Sequence, residues 1–191
     1  MTSLALCLTA MLFGTNFSAA NIPASVPSAT IAYADTQRSV LAEQQLIDMV
    51  NTERWGRKLG ILRPNPMLTE VARAHSREMA MLNYFDHYSP NVEFRSPMKR
   101  YLKTLGYTPR YACVSENLYY CNRFNVQRGH TALMNSPSHR ENILNEIFDE
   151  VGVGCYIAPD GRLWVTEMFL KQVDQPISYT TAKIQQIETK S

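Results

Sequence analysis

A basic run, a long apolar stretch and a dense cysteine pattern are all missing from this chain of 191 residues. Each absence removes a class. The formal net charge is only +2, and no Lys/Arg stripe with interleaved aromatics occurs, which argues against nucleic acid as a partner. The leading apolar run, Leu4 to Phe13, is too short to cross a bilayer as a mature helix. Charged residues make up 19% and hydrophobic ones 45%, a balance that builds a packed core and excludes wholesale disorder. No serine-hydrolase elbow, P-loop, G-x-G-x-x-G or H-E-x-x-H motif is present, so the most specific enzyme signatures are gone as well.

Lys and Arg are also absent before Arg38, which leaves the apolar leader without the positive n-region of a signal peptide. Small residues nevertheless follow it, with Ala32-Tyr33-Ala34 as an A-x-A cleavage site and Ser18-Ala19-Ala20 as a rival. Residues 1–34 are read as a signal or leader segment, residues 35–171 as one folded domain and residues 172–191 as a flexible polar tail. The chain is expected to be secreted or held at the cell envelope, with no transmembrane segment once mature. Cys7 lies in the leader. Cys113, Cys121 and Cys155 allow three single disulfides with one thiol left over, a loop closed around Glu116 among them, or three free thiols.

Within the domain, Val40, Leu41, Ile47, Val50 and Trp55 roughly follow a 3.6-residue period and predict a helix over 37–59. Asn65-Pro66 caps a second helix, with Leu68, Val71, Ala72, His75, Met79 and Leu82 on one face. Ser96-Pro97 starts a third, stopped by Gly106. Residues 114–120 read as a strand and 126–134 as a helix. The helix begun near Ser136 runs to about Leu144. Residues 151–157 alternate, Pro159-Asp160-Gly161 is a turn, and 163–170 return as a second strand. Helices around a small antiparallel sheet make this an α+β layered domain.

The groups that could carry chemistry are dispersed: His75, His87, Glu116, His130 and His139. His75 sits on an apolar helix face, where a buried imidazole bonded to a backbone carbonyl is the plain expectation. His87 lies in an aromatic loop after a helix end, free to face a cleft. Glu116 is a carboxylate in an otherwise apolar strand and needs a partner or a groove. His130 lies on a polar helix and is expected to be solvated. His139 falls in the first turn of a helix capped by Ser136, or by a Ser138–Glu141 capping box, where unpaired N–H groups keep an imidazole neutral. Two histidines and a carboxylate can bind a divalent metal, act as an acid/base pair, or hold a cleft together through hydrogen bonds.

The run LIDMVNTERWGRKLGILRPNPMLTEVARAHSREMA, then YFDHYSP, SENLYY, NSPSHRENIL, VGVGCY and WVTEMFL, resembles the bacterial branch of the CAP superfamily. That superfamily holds the cysteine-rich secretory proteins, antigen 5 and the plant pathogenesis-related proteins, and is also called SCP-like. The resemblance covers roughly residues 42–170. It implies an α-β-α sandwich with an open cleft lined by histidines and acidic residues. His87 matches the first family histidine, Glu116 the glutamate of G-E-N, and His139 the second histidine; His75 matches a histidine frequent in bacterial members. Ser115 replaces the glycine of G-E-N, Ser138 the glycine of S-P-G-H, and Leu133 a tryptophan. Glu167 stands where similar bacterial sequences carry glutamine. Members are mostly extracellular, and some bind lipids or divalent cations.

Three functions follow as expectations. The first is a secreted binding domain whose cleft holds a divalent metal (zinc or calcium, on His87 and His139) or a small molecule, lipid or envelope ligand, with His75 as a ligand-binding residue. The second is an envelope hydrolase or peptidase in which His87, Glu116 and His139 are catalytic. The third is a structural envelope or coat domain.

Overall fold

The computed structural model describes the backbone of residues 28–174 and the side chains of residues 36–174. Five helices and four strands alternate irregularly: α1 (Ser28–Gly56), β1 (Arg63–Pro64), α2 (Pro66–Leu82), α3 (Pro97–Leu105), β2 (Tyr111–Cys121), α4 (Val126–Asn135), α5 (Pro137–Leu144), β3 (Glu150–Ile157) and β4 (Leu163–Val173). The sheet order is β1-β3-β4-β2. β2/β4 and β3/β4 are antiparallel, whereas β1 runs parallel to β3. The domain is α+β as expected, but the sheet is mixed rather than wholly antiparallel. The reason is that the chain leaving α1 lies beside β3 for two residues before Asn65 turns it into α2.

Helices cover both faces of the sheet. On one side α1, α4 and α5 bury Leu46, Ile47, Val50, Leu133 and Ile143 against Val153, Val165 and Phe169. On the other, α2 and α3 bury Leu68, Val71, Ala72 and Tyr101 against Met168 and Leu170. Met79, Leu118 and Trp164 extend that second core. β4 sends alternate residues to each core, which is why it reads as an almost continuous apolar run. α2 is pressed directly onto β3. A Cβ on Gly154 would overlap the Arg73 backbone nitrogen, and one on Gly152 would sit 2.5 Å from the Leu68 carbonyl carbon. The two glycines on one face of this strand are there to let a helix backbone approach.

The helix signals hold where a cap names them. Asn65 accepts from the Leu68 N–H at 3.1 Å and Ser96 from the Lys99 N–H at 3.2 Å. Gly106 closes α3 with a left-handed φ of 78°. α1 departs from its expected face: Leu41 and Trp55 are 64% and 75% exposed, and the buried stripe is Ala42, Leu46, Val50 and Arg54. Arg54 joins that stripe because it donates to Gly60 O, Ile143 O and Asn145 O, which ties α1 to the C-terminal carbonyls of α5. α1 also begins at Ser28, inside the segment read as a leader, and β4 runs to Val173, inside the segment read as a tail. The rest of the leader and of the tail lies outside the described residues. Cys113, Cys121 and Cys155 are free thiols. Cys113 and Cys121 stand at opposite ends of β2, about 26 Å apart along an extended strand, far beyond disulfide reach.

Candidate functional site

β2 is an edge strand, paired only with β4 among the described strands. Two of its neighbouring residues face opposite layers and organise the site. Glu116 points toward α2 and α3. Its Oε1 accepts from His87 Nδ1 at 2.9 Å and its Oε2 from Arg100 Nη2 at 2.5 Å. Asn117 points the other way. Its amide donates to His139 O and to Glu167 Oε2, both at 3.1 Å, while its carbonyl accepts from Asn142 at 2.9 Å. Asn142 also reaches Glu116 O at 3.3 Å. The edge strand therefore grips α5, and with it His139, on one side and the His87 loop on the other.

Arg100 is the fixed post of that loop. It is 4% exposed, and Nη1 donates to His87 O and Phe94 O at 3.2 and 3.1 Å. Behind it, His75 is fully buried, with Nε2 on Asp86 O at 3.1 Å. A carbonyl only accepts, so Nε2 carries the hydrogen and Nδ1 is bare. Burial pushes this imidazole below its ordinary value, and the nearby Glu116 offsets that only in part. Glu78 stands 3.5 Å from Nδ1 and accepts from Tyr84 Oη at 2.6 Å and Ser89 Oγ at 2.8 Å. His75 thus meets the plain expectation of a buried imidazole on a backbone carbonyl, and it does so within reach of the site.

His87 and His139 are tuned differently. The hydrogen bond to Glu116 raises His87 above its ordinary value, and its side chain is 45% exposed. His139 is lowered, first by burial and then by the charge of His87, so the two imidazoles are close enough to feel one another. Its Nδ1 is 2.7 Å from Ser136 Oγ. Ser136 occupies the N-cap position of α5 but makes no capping hydrogen bond, because its hydroxyl turns to His139 instead. In both imidazoles Nδ1 is engaged and Nε2 has no partner among the described residues.

A metal ion can be tested against these donors. Among the described residues no three His, Cys, Asp or Glu side chains converge as a cation site. Glu116 has its oxygens committed to His87 and Arg100. Calcium, which takes about six to eight oxygens, does not fit. Two imidazoles with an open Nε2 are zinc-type donors but fall short of a full protein ligand set.

The structure thus brings His75, His87 and Glu116 together from one layer and His139 from the other, around the β2 edge. His130 is not part of this group, nor is it solvated. It is 4% exposed between α4 and α1, with Nε2 3.8 Å from Glu53 and neither ring nitrogen hydrogen-bonded. α4 packs on α1 with this face inward, which its polar neighbours do not announce. Arg100, Glu78 and the Ser136 contact are not legible as site features in the sequence. Arg100 sits beside Lys99 in the chain, and nothing local separates the buried cation from the solvated one.

The family model of the cysteine-rich secretory proteins, CAP, matches residues 47–169. The chain belongs to this family. It is 34% identical over 150 residues to the uncharacterized protein YkwD of Bacillus subtilis, an alignment covering 78% of this chain and 51% of that protein. An extracellular SCP-domain protein from Bacillus anthracis shares the CAP fold with a TM-score of 0.60 and 28% identity, over 72% of this chain and 42% of that one. An outer surface protein from Borrelia burgdorferi agrees in fold alone, with a TM-score of 0.59 and 21% identity, over 69% of this chain and 92% of that one. The chain spans about half the length of YkwD and less than half of the anthracis protein. Among the described residues, no helix is long and apolar enough to cross a membrane.

Proposed function

We propose that this CAP domain is an extracellular binding module whose cleft takes its ligand on the Nε2 atoms of His87 and His139. The observation that carries this reading is the matched tethering of the two rings. Each has Nδ1 held by a partner of its own chain, Glu116 or Ser136, and each leaves Nε2 open. Rings fixed in this way are oriented donors or acceptors rather than packing. The extracellular setting of the SCP-domain protein from Bacillus anthracis supports the location. Zinc suits two imidazoles, with water or the ligand's own donors completing a tetrahedron. Two protein ligands predict modest affinity.

Calorimetric titration of Zn²⁺ and Ca²⁺ into the protein tests this. Saturable one-to-one zinc binding is expected, lost in both His87→Ala and His139→Ala, with no calcium binding. Zinc binding that survives both substitutions, or none in the parent, rejects the metal form of the reading. A hydrolytic reading draws on the His87–Glu116 pair as base and orienter. It requires an activity that disappears in His139→Ala while circular dichroism is unchanged.

A further inference from the structure

Part of the outer edge of β2 is unused. Leu170 O, opposite Val114, accepts from Asp149 N on the β3 side, so the Val114–Leu170 pair is not a hydrogen-bonded one. Glu116 O accepts from Asn142, which places the Glu116 carbonyl on the outer side as well. Alternate residues of a strand share a direction, so Ala112 and Val114 turn N–H and C=O away from β4. None of these groups has a partner among the described residues. The stretch from Tyr111 to Ser115 also holds no Lys, Arg, Asp, Glu or Pro, the residues that commonly blunt an open edge. Its centre is the free, half-buried thiol of Cys113. On the same face lie Tyr111 and Val173, paired across β2 and β4 and each 44% exposed. The open stretch ends where Asn142 covers the next outward carbonyl, that of Glu116.

We infer that this edge pairs with its own counterpart in a second copy of the chain, antiparallel about a two-fold axis at Cys113, and that the two Cys113 thiols close an intermolecular disulfide. The register is self-complementary. Ala112 of each copy faces Val114 of the other, and their outward N–H and C=O groups answer one another. Tyr111 faces Ser115, so no like charges meet. Cys113 faces itself at a non-hydrogen-bonded position, where Cα atoms lie about 4.5 Å apart, inside the roughly 4.4–6.8 Å that a disulfide spans. A foreign strand can use the same main-chain groups, but a second copy brings a thiol to the axis. Five paired residues bury too little surface for a stable dimer alone, so the covalent bond holds it. The oxidant is a low-molecular-weight disulfide such as oxidised glutathione. One Cys113 thiolate attacks it and releases a first glutathione thiolate; Cys113 of the second copy then displaces the other. Two protein thiols lose two protons and two electrons, and one glutathione disulfide becomes two thiols. An extracellular setting is where such a bond persists. The inference is independent of the cleft reading, since it uses neither free Nε2 atom.

The test is incubation of the full chain with a mixture of reduced and oxidised glutathione, read on non-reducing gels and by intact mass. The chain carries Cys7→Ser and Cys121→Ser, and the latter keeps a donor for Arg123 O. Cys155 is buried, which leaves Cys113 as the accessible thiol. A disulfide dimer free of glutathione is expected, and Cys113→Ser is expected to abolish it. Ala112→Pro separates edge pairing from chance collision of thiols. It removes an outward N–H that the β4 ladder does not use, a place where an edge strand accepts proline. Dimer formation is expected to slow at least tenfold in that variant with the melting temperature unchanged. Tyr111→Lys, at an exposed position, is the second probe and is expected to slow it as well by placing a charge on the edge. Glutathione adducts of the monomer without dimer, a dimer that survives Cys113→Ser, or a dimer that forms as fast in both edge variants overturns the inference. Zinc titration of the Cys113→Ser protein keeps the cleft reading apart, because that variant leaves His87 and His139 untouched.

Discussion

Glu116 and Glu167 are the same residue type, one register step apart on adjacent strands, and both are buried. Their surroundings are opposite. Glu116 faces the α2/α3 layer, where Arg100 and His87 take its two oxygens. Glu167 faces the α1/α5 layer, where Asn117 is its one hydrogen-bond partner and Oε1 has none among the described residues. Burial accordingly lifts the Glu167 carboxyl to about 7. The layer that meets Glu116 is built around a charge. The layer that meets Glu167 offers it no cation, so burial favours its protonated form. What decides between an anchor and a liability is the presence of a cation on the facing helix, not the strand.

The sharpest way to break the contrast is to remove that cation. Arg100→Met leaves Glu116 buried with His87 as its sole counter-charge and releases the His87 and Phe94 carbonyls. The expected loss is about 3–5 kcal/mol in chemical denaturation. Adding Glu116→Leu to that variant should recover most of the loss, because a buried pair replaced by apolar groups is near neutral. A double variant as unstable as the single one places the loss in the loop carbonyls rather than in the ion pair.

Glu167→Gln tests the opposite side. The folded-state value of about 7 lies above the ordinary 4.5, so folding retains a proton that the unfolded chain releases. Stability is therefore full below about pH 4.5 and falls as pH rises to about 7, by about 3 kcal/mol in all. Glutamine keeps the oxygen that accepts from Asn117 and removes the titration. Unfolding midpoints at pH 5 and pH 8 should converge in the variant, with the gain confined to pH 8.

His87 gives a smaller effect of defined sign. Its value is raised in the fold, so its contribution is complete below the ordinary imidazole range and lost as pH climbs through the raised value. Because the ring is half exposed, the pH-dependent gain is under about 1 kcal/mol. An NMR titration of the His87 ring should show an elevated midpoint that returns to normal in Glu116→Gln.

Ser136→Ala should cost least. An ordinary N-cap serine is worth about 1 kcal/mol, but this one makes no cap bond, so its removal should change stability by under about 0.5 kcal/mol. The same change in Asn65, whose cap bond is present, should cost about 1 kcal/mol. A Ser136 loss as large as that of Asn65 contradicts the reading that its hydroxyl serves His139.

Much of this arrangement is legible in the sequence because it rests on local rules. Asn65-Pro66 fixes the start of α2, and Ser96-Pro97 and Gly106 fix both ends of α3. The resemblance carried by six ordered segments supplies His87, Glu116 and His139. What stays hidden is non-local. Arg54, Arg100, His130 and Glu78 look like surface charges in sequence, and burial assigns them meaning only after distant elements meet them. β1 is two residues long and exists only because β3 lies beside it. Glu167 stands out in sequence as an oddity among glutamines, but its face does not; it points away from the His87 side of the sheet.

The bare contact between α2 and β3 has a further consequence. Because Gly152 and Gly154 meet main-chain atoms rather than flexible tips, the distance from the sheet to His75 is set by hard-core repulsion and not by side-chain rotamers. The helix rests on a mechanical stop. Side chains around His87 and His139 can be exchanged while the platform that carries His75 keeps the same height above the sheet.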